Sequence, residues 1–530
     1  MVAAISVNKP WLVQKYGGTS LGKLMGTICG SIIPDYAENY RLVVVCSALS
    51  GTVKAKGTTS LLLECIALSE LGPDAQEQMV NLIDLIRDNH LAVLDSIFEA
   101  QKKLAFEAYD NTKTSIVREC EALKKFLLAA QIVGELSPRS KDRVISLGEK
   151  LACLITAACL ATKGIAARPV ILDDVVSAAF GASADDQAAA LEKLGSRFYH
   201  DIAEEIATRI RDCDQAIPIV TGFFGIMPKS LVQTVGRGYS DLCAAMCAVG
   251  VEAAELQIWK EVDGIFTADP RKIPSAQLLP SVTADEATEL TYYGSEVIHP
   301  LTMDQIREAN ISLRLKNVFK PHNEGTVIDP KSASSTLEIG QVKKVISPPG
   351  VLLKNDFSVG RFERRRPTAV TVKDDVLLIN VVCNRNTKSG GLLIQVFERL
   401  ERNNISVDLV ATSERHVSLA VYSPGSSREV LRLKEELESF GQVAIAKNMS
   451  IVTIVGHKMR SQIGVANETL SALAAANVNI HLISQGASEI SISLVVNADD
   501  ATAALNAIHR EVLKIPTIEE SRFRRRAWLY

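Results

Sequence analysis

Short apolar runs alternate with stretches of helical periodicity over about the first 326 residues, and this alternation constrains the fold more than any other sequence feature. Such runs are typical of strands buried on both faces, as in a parallel sheet covered by helices. The clearest runs are Leu42–Val45, Ile217–Val220 and Leu256–Trp259. Between them, apolar residues spaced for one face of a helix are Leu82, Leu85, Ile86 and Val93. The pattern predicts an α/β layered domain.

The C-terminal part of the chain contains an internal repeat. The segment NNISVDLVATSERHVSLAV at 403–421 matches ANVNIHLISQGASEISISLVV at 476–496 after a shift of 73 residues. A strand-like run (Val376–Val382 or Ile451–Val455) and a helix precede each copy, so each unit is predicted as strand, helix, strand, strand. A small sheet with helices on one face needs cover on the other, so two copies are expected to pack against each other or a partner chain. Spacing alone leaves a ligand-sensing pair and a structural dimerisation module equally open.

Length and composition predict several soluble domains. The 530 residues carry a formal net charge of -3, which argues against broad electrostatic binding to nucleic acid or anionic membranes. A stretch rich in Ser, Pro and Lys follows residue 330 and ends in the basic run Arg364–Arg366, which we interpret as a solvated turn. The predicted organisation is a large α/β domain at 1–330, a linker at 331–370, and two small units at 371–445 and 446–530.

The ten cysteines form no CxxC pair, which argues against zinc-ribbon and thioredoxin-like sites. They are expected to be small buried side chains in a reducing compartment. The most apolar stretch, Leu151–Ala161, is about half the length of a membrane span. The N-terminal sequence matches neither a signal nor a transit peptide, so a cytoplasmic location is expected.

A glycine pair follows the first predicted strand, Trp11–Gln14, in the motif KYGGTS at 15–20. Adjacent glycines let backbone N–H groups approach an anion, and the following hydroxyls can add donors at a helix start. The motif therefore outlines a phosphate cradle, although a tight turn that binds nothing is the alternative. The spacing GGTSLGK approaches a Walker A motif, but Leu24 stands where the magnesium-binding Ser or Thr belongs, which disfavours a P-loop NTPase.

A second glycine-bearing motif, GRGYSD at 236–241, follows IPIVTGFFG and opens an Ala-rich helix. A helix N-terminus favours anions, and Arg237 can grip a carboxylate with two parallel hydrogen bonds. Asp241 occupies the third glycine position of the dinucleotide fingerprint, where an acid would repel a pyrophosphate unless it orients a cation. We expect Asp241 to hold a lysine or a metal-bound group, with helix capping as the competing interpretation.

Five motifs, KYGGTS, VVVCSALSG, GRGYSD, DGIFTADPR and EVIHP, occur in this order before the repeat. In this order and spacing, over nearly the whole chain, they resemble the aspartokinases, particularly the fungal monofunctional enzymes. The resemblance implies an amino-acid-kinase (carbamate-kinase-like) fold, an open αβα sandwich, followed by two ferredoxin-like βαββαβ ACT units. The implied reaction transfers the γ-phosphoryl group of Mg-ATP to the β-carboxylate of L-aspartate, giving 4-phospho-L-aspartate, the first step toward threonine and methionine.

The resemblance also implies residue roles. Lys15 would stabilise the transferring phosphoryl group, Asp241 would orient that lysine, and His299 would be a second catalytic contributor, with a structural hydrogen-bonding role as its alternative. For aspartate, Arg237 would bind the α-carboxylate and Glu149 the α-amino group, with Ser47 and Phe223 completing the pocket. Without the resemblance, a surface salt bridge would be the preferred interpretation of Glu149. The loop Ser50–Thr59 is a candidate lid.

The nucleotide is expected to contact residues from three segments. By resemblance, these are Gly17, Gly18, Thr19, Ser20, Gly236, Ser240, Lys260, Glu261, Phe266 and Arg271. Phe266 replaces the tyrosine more usual in the family, and Glu296 stands where a lysine often precedes the histidine motif outside fungi. Since no carboxylate cluster resembles a metal cage, Mg²⁺ is expected to be held through the nucleotide, with no protein ligand.

In the ACT units the resemblance implies an amino-acid effector site. Its residues would be Ser389, Gly390, Asp408, Thr412 and Ser413. Asp408 would meet an ammonium group and the hydroxyls a polar side chain, with threonine as the expected inhibitor and lysine left open. A homodimer or larger homo-oligomer through the ACT units is expected. The alternatives for the whole chain are another amino-acid kinase, for glutamate or N-acetylglutamate, and a catalytically inactive amino-acid sensor.

Overall fold

The structure is a computed structural model, and it describes most of the chain. The described residues are 9–51, 57–99, 106–227, 230–236, 238–294, 298–330, 367–383, 389–403, 405–413, 415–423, 427–457, 459, 463–485 and 490–516. The predicted linker at 331–370 therefore lies almost entirely outside them, as does the centre of the candidate lid.

The described residues form the following strands and helices. The strands are β1 Trp11–Tyr16, β2 Arg41–Cys46, β3 Ala167–Val170, β4 Ile217–Thr221, β5 Glu255–Lys260, β6 Ser281–Thr283, β7 Ser312–Asn317, β8 Thr326–Asp329, β9 Ala369–Cys383, β10 Val407–Thr412, β11 His416–Tyr422, β12 Gly441–Val455, β13 Leu482–Ser484 and β14 Ser491–Asn497. The helices are α1 Gly18–Thr27, α2 Ile33–Ala37, α3 Thr58–Glu70, α4 Gln76–Phe98, α5 Phe106–Val133, α6 Pro138–Ile145, α7 Leu147–Ala161, α8 Val175–Phe180, α9 Ala184–Leu194, α10 Ser196–Arg211, α11 Leu231–Thr234, α12 Tyr239–Gly250, α13 Ala284–Tyr293, α14 Pro300–Glu308, α15 Ser389–Arg402, α16 Ser427–Glu438, α17 Val465–Ala475 and α18 Ala501–Glu511.

The chain divides into two compact units. The first comprises Met1–Ile265 and Val297–Lys331, and the second comprises Phe266–Glu296 and Ser332–Tyr530. The segment that carries β6 and α13 therefore belongs to the second unit, although in sequence it interrupts the first. There α13 packs against β9 and β12.

The first unit is built on a largely parallel sheet, seven of whose strands lie in the order β3-β4-β2-β1-β5-β7-β8. The neighbours from β3 to β7 pair in parallel, whereas β8 runs antiparallel to β7. The predicted runs at 42–45, 217–220 and 256–259 are the centres of β2, β4 and β5. Because strands buried on both faces need apolar side chains on both, their sequences are continuous rather than alternating.

Helix α4 is present, but the prediction of its buried face was wrong in part. Its buried stripe consists of Met79, Ile83, Ile86, His90, Leu94 and Phe98. These positions follow the three- and four-residue spacing of one helical face. Of the expected residues Ile86 is on the stripe, whereas Leu82 and Val93 lie at its margin and Leu85 is exposed.

The stretch 138–161, which comprises α6 and α7, is long and apolar enough to cross a membrane by length and composition. However, 83% of its apolar window is buried inside the fold, as in the core helix of a globular unit. Helix α7 contributes Leu151, Ile155 and Leu160 to the large core between the sheet and helices α1, α3, α4 and α5.

The second unit contains a six-stranded sheet in the order β10-β11-β9-β12-β14-β13, rather than two separate four-stranded sheets. The two central strands have 15 residues each and pair antiparallel from Gly441 opposite Cys383 to Val455 opposite Ala369. The second half of β9 pairs with β11, and the second half of β12 pairs with β14. Each long strand therefore supplies half of its length to each repeat copy.

An irregularity in both central strands marks the change from one copy to the other. The register of β12 on β9 shifts between Ala446 and Ile451, and Asn448 has a positive φ of 59°. On β9, Asp375 has a φ of 59° as well. Helices α15 and α16 cover one core of this sheet, and α17 and α18 cover another. The predicted boundary between residues 445 and 446 falls inside β12, beside this bulge.

Candidate active site

Several of the predicted residues meet at the carboxyl ends of neighbouring parallel strands. Lys15 lies near the end of β1, Ser47 directly follows β2, and Lys260 ends β5. Phe223 follows β4, where the N–H of Gly222 donates to the carbonyl of Cys46 at 2.8 Å. Ligands of open α/β sheets bind at this edge.

A buried charge network links β1, β5 and the first turn of α12. The ammonium of Lys15 lies 2.5 Å from Oδ1 of Asp241, and that of Lys260 lies 3.6 Å from Oδ2. The side chains of Lys15 and Asp241 are 8% and 6% exposed. Burial alone would raise the pKa of Asp241, but the charges and hydrogen bonds of the two lysines outweigh it and hold the pKa below its usual range. One carboxylate thus lies against two cations, Lys15 and Lys260.

The N-terminus of α1 offers backbone donors beside Lys15. A side chain at Gly17 would meet no atom within 4 Å, so the space over this turn is open. By contrast, a Cβ at Gly18 would collide with the carbonyl oxygen of Ala48, so this glycine is needed for close packing of α1. Thr19 and Ser20 occupy the first turn of α1, and Ser20 is buried. Free N–H groups at a helix start, next to open space, suit a phosphate group.

Ser47 joins this turn region to α12. Its hydroxyl donates to the hydroxyl of Ser240 at 3.0 Å. The Ser47 N–H donates to the carbonyl of Tyr16 at 3.2 Å. This pair places two small hydroxyls between the first and second glycine motifs.

Glu149, in the first turn of α7, is a buried carboxylate rather than a surface salt bridge. Its side chain is almost fully buried, and Oε1 accepts a 2.7 Å hydrogen bond from the hydroxyl of Tyr239. Burial raises the pKa of Glu149 to about 7, against the opposing effects of hydrogen bonds from Tyr239 and from the backbone N–H groups of Glu149 and Ala48, and of the Lys15 charge. Its Oε2 has no hydrogen-bond partner among the described residues. A buried acceptor without a donor is costly unless a ligand supplies one.

The phenyl ring of Phe223 packs edge-on against Tyr239, with ring centroids 5.9 Å apart. Phe223 is fully buried. It therefore acts as an apolar wall beside the Glu149 carboxylate.

The second glycine motif is held by His299. Gly238 has a φ of 93°, and a Cβ on it would lie 3.1 Å from Cβ of His299. His299 caps α14 by accepting from the Leu301 N–H at Nδ1, and its Nε2 lies 2.9 Å from the carbonyl of Val235. Since Nδ1 accepts, Nε2 is the donor. Both ring nitrogens are used, which favours the structural alternative for His299 over a catalytic one.

Arg237 lies outside the described residues, so its predicted contact with a carboxylate stays a prediction. Its flanking glycines are described: Gly236 has a φ of 78°, and Gly238 is the N-cap of α12. The left-handed backbone at both positions explains why the motif has glycines on either side of the arginine.

Asp142 is an organising residue that the sequence analysis missed. This buried carboxylate of α6 accepts hydrogen bonds from the Ser230 hydroxyl at 2.6 Å and from the N–H groups of Leu231 and Met227. Burial raises the pKa of Asp142, partly offset by these hydrogen bonds. The bonds fix the approach to the second glycine motif. The motif SPRSKD before SLGEK carried no signal for a partner about ninety residues away.

The remaining predicted nucleotide residues are more dispersed. Glu261 is exposed just after β5 in the first unit. Phe266 and Arg271 lie in the second unit, where Phe266 bridges to Leu278 and the exposed Arg271 pairs with Asp269 at 2.8 Å. Glu296 lies outside the described residues.

The predicted effector residues lie in the second unit. The carboxylate of Asp408 on β10 is 3% exposed and pairs with the ammonium of Lys373 at 2.6 Å. This ammonium also lies 5.1 Å and 5.8 Å from the ring centroids of Tyr292 and Tyr422. Thr412 and Ser413 are exposed at the end of β10, where the N–H of Ser413 donates to the His416 carbonyl. Ser389 and Gly390 begin α15.

Within the described residues, no cluster of three or more His, Cys, Asp and Glu side chains could hold a metal ion. Both oxygens of Asp241 face lysines instead. The lysines on Asp241 suit an anionic ligand rather than a protein-built magnesium cage.

Comparison with known proteins identifies the family. Residues 10–317 match the amino acid kinase family, and residues 452–512 match an ACT domain. The chain is 42% identical to the aspartokinase of Saccharomyces cerevisiae over 528 residues, covering 98% of this chain and 95% of the yeast protein. It is 39% identical to the Schizosaccharomyces pombe aspartokinase over 530 residues, covering 99% and 98%.

Solved structures share the fold. Escherichia coli aspartokinase III in complex with aspartate and ADP superposes with a TM-score of 0.65 at 24% identity, covering 95% of this chain and 99% of that one. The same enzyme in complex with lysine and aspartate gives 0.70 at 23% identity, covering 94% and 99%. These matches confirm the predicted fold class, and the relatives show that this chain belongs to the aspartokinases of the amino acid kinase family.

Proposed function

We propose that the network around Asp241 performs the aspartokinase reaction, in which the γ-phosphoryl group of ATP passes to the β-carboxylate of L-aspartate and leaves ADP. The observation that carries this proposal is the placement of two lysines on one buried carboxylate. Phosphoryl transfer requires positioning and charge neutralisation more than covalent chemistry by the protein. Two oriented cations at the end of the sheet suit that task.

Lys15 neutralises charge on the transferring group. Asp241 holds its ammonium in place, and Lys260 shares the same carboxylate. The attacking β-carboxylate, with an ordinary pKa of about 3.9, is ionised at neutral pH, so no general base is required. This agrees with a site in which His299 is occupied by structural hydrogen bonds.

Glu149 binds the α-ammonium group of aspartate through the carboxylate oxygen that lacks a partner among the described residues. The ammonium provides the hydrogen that Oε2 needs and the positive charge that a buried carboxylate needs. Arg237 is proposed to bind the α-carboxylate, as the sequence predicts. An Arg and Glu pair of this kind selects an α-amino acid.

The triphosphate is proposed to lie over the open space at Gly17, against the N–H groups of α1 and the two lysines. Mg²⁺ would be held here through the nucleotide, where it would offset phosphate charge. Gly18, Ser47 and Ser240 shape the floor of this site through the contacts described above.

The direct test is an assay in which hydroxylamine traps the acyl phosphate as a hydroxamate. We expect product with Mg-ATP and L-aspartate, and none with L-glutamate, N-acetylglutamate or no acceptor. Glutamate turnover equal to that of aspartate would instead support another amino-acid kinase. ATP-independent binding of amino acids without any turnover would support an inactive sensor.

We further propose that the effector is an amino acid with an uncharged side chain, threonine above all. The argument is the charge balance at Asp408, whose carboxylate is already paired with Lys373. A zwitterionic ligand with a neutral side chain leaves this buried site balanced, whereas a lysine side chain would add an unpaired positive charge. Lysine is bound in the second E. coli structure, so the two effectors must be compared directly.

The effector proposal is tested by titrating threonine and lysine into the hydroxamate assay at saturating ATP. We expect inhibition by threonine at concentrations at which lysine has no effect. Inhibition by lysine alone would contradict the charge argument, and inhibition by neither would remove this site as a sensor of these amino acids.

A homo-oligomer through the ACT units is also proposed. In its support, α15 exposes Ile394 and Phe397 one helical turn apart, and Leu431 is exposed on the neighbouring α16. Analytical ultracentrifugation of the wild type and of an Ile394→Lys, Phe397→Lys variant tests it. We expect a dimer or larger wild type and a smaller variant, and a monomeric wild type would contradict the proposal.

A further inference from the structure

The Tyr239 side chain contacts the Glu149 carboxylate through a hydrogen bond. Tyr239 is the first residue of α12, and its hydroxyl reaches across to α7 to donate to Oε1 of Glu149 at 2.7 Å. Its ring is 9% exposed and packs edge-on against Phe223. The hydroxyl of Thr59 also hydrogen bonds to it. The phenol is therefore fixed at both its ring and its oxygen.

From this geometry we infer that Tyr239 is a positioning residue for aspartate binding, which keeps Glu149 ionised and turns its unpartnered oxygen toward the substrate ammonium. This inference rests on the proposed role of Glu149. It adds a residue for which the sequence analysis gave no role, because its partner is 90 residues away along the chain.

Besides the backbone N–H groups of Glu149 and Ala48, the groups that favour the charged form of Glu149 are Tyr239 and Lys15. Lys15 on β1 lowers the pKa of Glu149 by its charge, and the Tyr239 hydrogen bond lowers it further against the effect of burial. Cys153 on α7 and Cys243 on α12 also face this carboxylate, and burial raises the pKa of both thiols well above neutrality. Asp142 lies beyond Tyr239. Burial likewise raises the pKa of Tyr239, so it stays a donor throughout the neutral range.

These groups determine how kcat/KM for aspartate should depend on pH. Glu149 must be ionised to bind an ammonium, so kcat/KM for aspartate should fall as pH drops through about 7. Loss of the tyrosine hydroxyl removes a hydrogen bond to the charged form, which moves this inflection to higher pH. The effect should fall on KM for aspartate, since the ammonium contact is made in both the bound substrate and the transition state.

The test is the pH profile of the Tyr239→Phe variant, which keeps the ring and its packing. We expect the acid limb of kcat/KM for aspartate to shift upward by about one pH unit, with a loss of about fivefold at pH 7 and recovery at pH 9. KM for ATP and kcat at saturating aspartate should stay within about twofold of wild type. A merely structural role would instead lower kcat and thermal stability at every pH.

Tyr109→Phe is the matched control. It removes a tyrosine hydroxyl that donates to Asp95 at 2.6 Å, between α5 and α4 of the same unit, and we expect no shift in the profile. An unchanged acid limb in Tyr239→Phe, or an equal shift in Tyr109→Phe, would overturn the inference.

Glu149→Gln separates this inference from the proposed function. If the proposed function is right, the glutamine variant has a much higher KM for aspartate and loses the acid limb. If Glu149→Gln binds aspartate normally, the proposed aspartate site fails. If Glu149→Gln is impaired while Tyr239→Phe keeps the wild-type profile, only the role of Tyr239 fails.

Discussion

Both units contain a lysine–aspartate pair with a buried carboxylate, and the two pairs differ in the groups that surround them. Asp241 faces two ammonium groups, from Lys15 at 2.5 Å and Lys260 at 3.6 Å. Asp408 pairs with Lys373 at 2.6 Å, and the rings of Tyr292 and Tyr422 flank that ammonium. The first carboxylate therefore orients two cations, whereas the second pairs with one.

The comparison teaches that the residue pair alone does not decide function. In the first unit the pair lies at the carboxyl ends of parallel strands, beside open space at a helix N-terminus. In the second unit the pair spans β9 and β10, on the two sides of β11, and an aromatic surface covers the lysine. We attribute phosphoryl transfer to the first setting and effector selection to the second.

The largest effect should come from breaking the first pair at Lys15. In Lys15→Met we expect kcat to fall by about 10³-fold or more, because the charge on the transferring group loses a positioned cation. The hydroxamate assay measures it. The control is Lys141→Met, which breaks a 2.6 Å pair with Glu70 away from the strand ends, and should keep wild-type turnover. Comparable loss in both variants would contradict a specific role.

Breaking the pairs at their carboxylates should separate them in stability. Asp241→Asn removes the counter-charge that pairs with Lys15, whose side chain is only 8% exposed, so we expect the free energy of unfolding of the first unit to fall by about 3–5 kcal/mol. Urea unfolding followed by tryptophan fluorescence reports on this unit when it is measured in a Trp528→Phe background, which leaves Trp11 and Trp259 as the fluorophores. Asp408→Asn removes the charged partner of Lys373. Because the Lys373 side chain is 23% exposed to solvent, we expect a smaller loss of unfolding free energy in the second unit, about 1–3 kcal/mol.

Hydrogen exchange in β10 and β11 measures the stability loss of Asp408→Asn, because Asp408 lies on β10 and β11 pairs with that strand. Equal costs for the two variants would mean that the deeper burial of Lys15 does not matter. The folded-state pKa of Asp241 is depressed, so its contribution is present at neutral pH and is lost as pH falls below about 4, through that depressed pKa.

Much of the fold was predictable because burial leaves a direct signal in the sequence. β2, β4 and β5 are continuous apolar runs, and the repeat at 403–421 and 476–496 indicated two related halves. The full lengths of β9 and β12 were not predictable. Polar residues interrupt both strands at the bulge, so the pattern placed their starts at Val376 and Ile451.

The candidate site was predictable where motifs carry it and not where sheet register does. Lys15 and Asp241 were predicted as a pair, and the structure brings them together. The pairing of Lys373 with Asp408, 35 residues apart, depends on β9 and β10 lying on either side of β11. Short sequence motifs do not indicate which strands are neighbours in the sheet.

Removing Lys373, the lysine of the second unit's pair, should alter which amino acid inhibits the enzyme rather than its turnover. In Lys373→Met, Asp408 keeps a negative charge that a cationic side chain can balance. We therefore expect inhibition by lysine to strengthen by about tenfold and inhibition by threonine to weaken by about tenfold. Inhibition curves for both amino acids measure the change. A parallel loss of both would indicate that Lys373 only maintains the fold of the site.

The smallest effect on stability is expected at Gly17, in the turn next to the Lys15–Asp241 pair. Gly17 has an ordinary extended backbone with a φ of -70°, and a methyl group there would enter open space. In Gly17→Ala we expect stability to stay within about 0.5 kcal/mol while KM for ATP rises about tenfold, because the methyl fills the volume proposed for phosphate. In the matched variant Gly18→Ala, the methyl meets the carbonyl of Ala48, so a stability loss of about 1–3 kcal/mol is expected instead. Thermal unfolding and ATP titration of both variants separate a ligand space from a packing contact, and an unchanged KM for ATP in Gly17→Ala would place the triphosphate elsewhere.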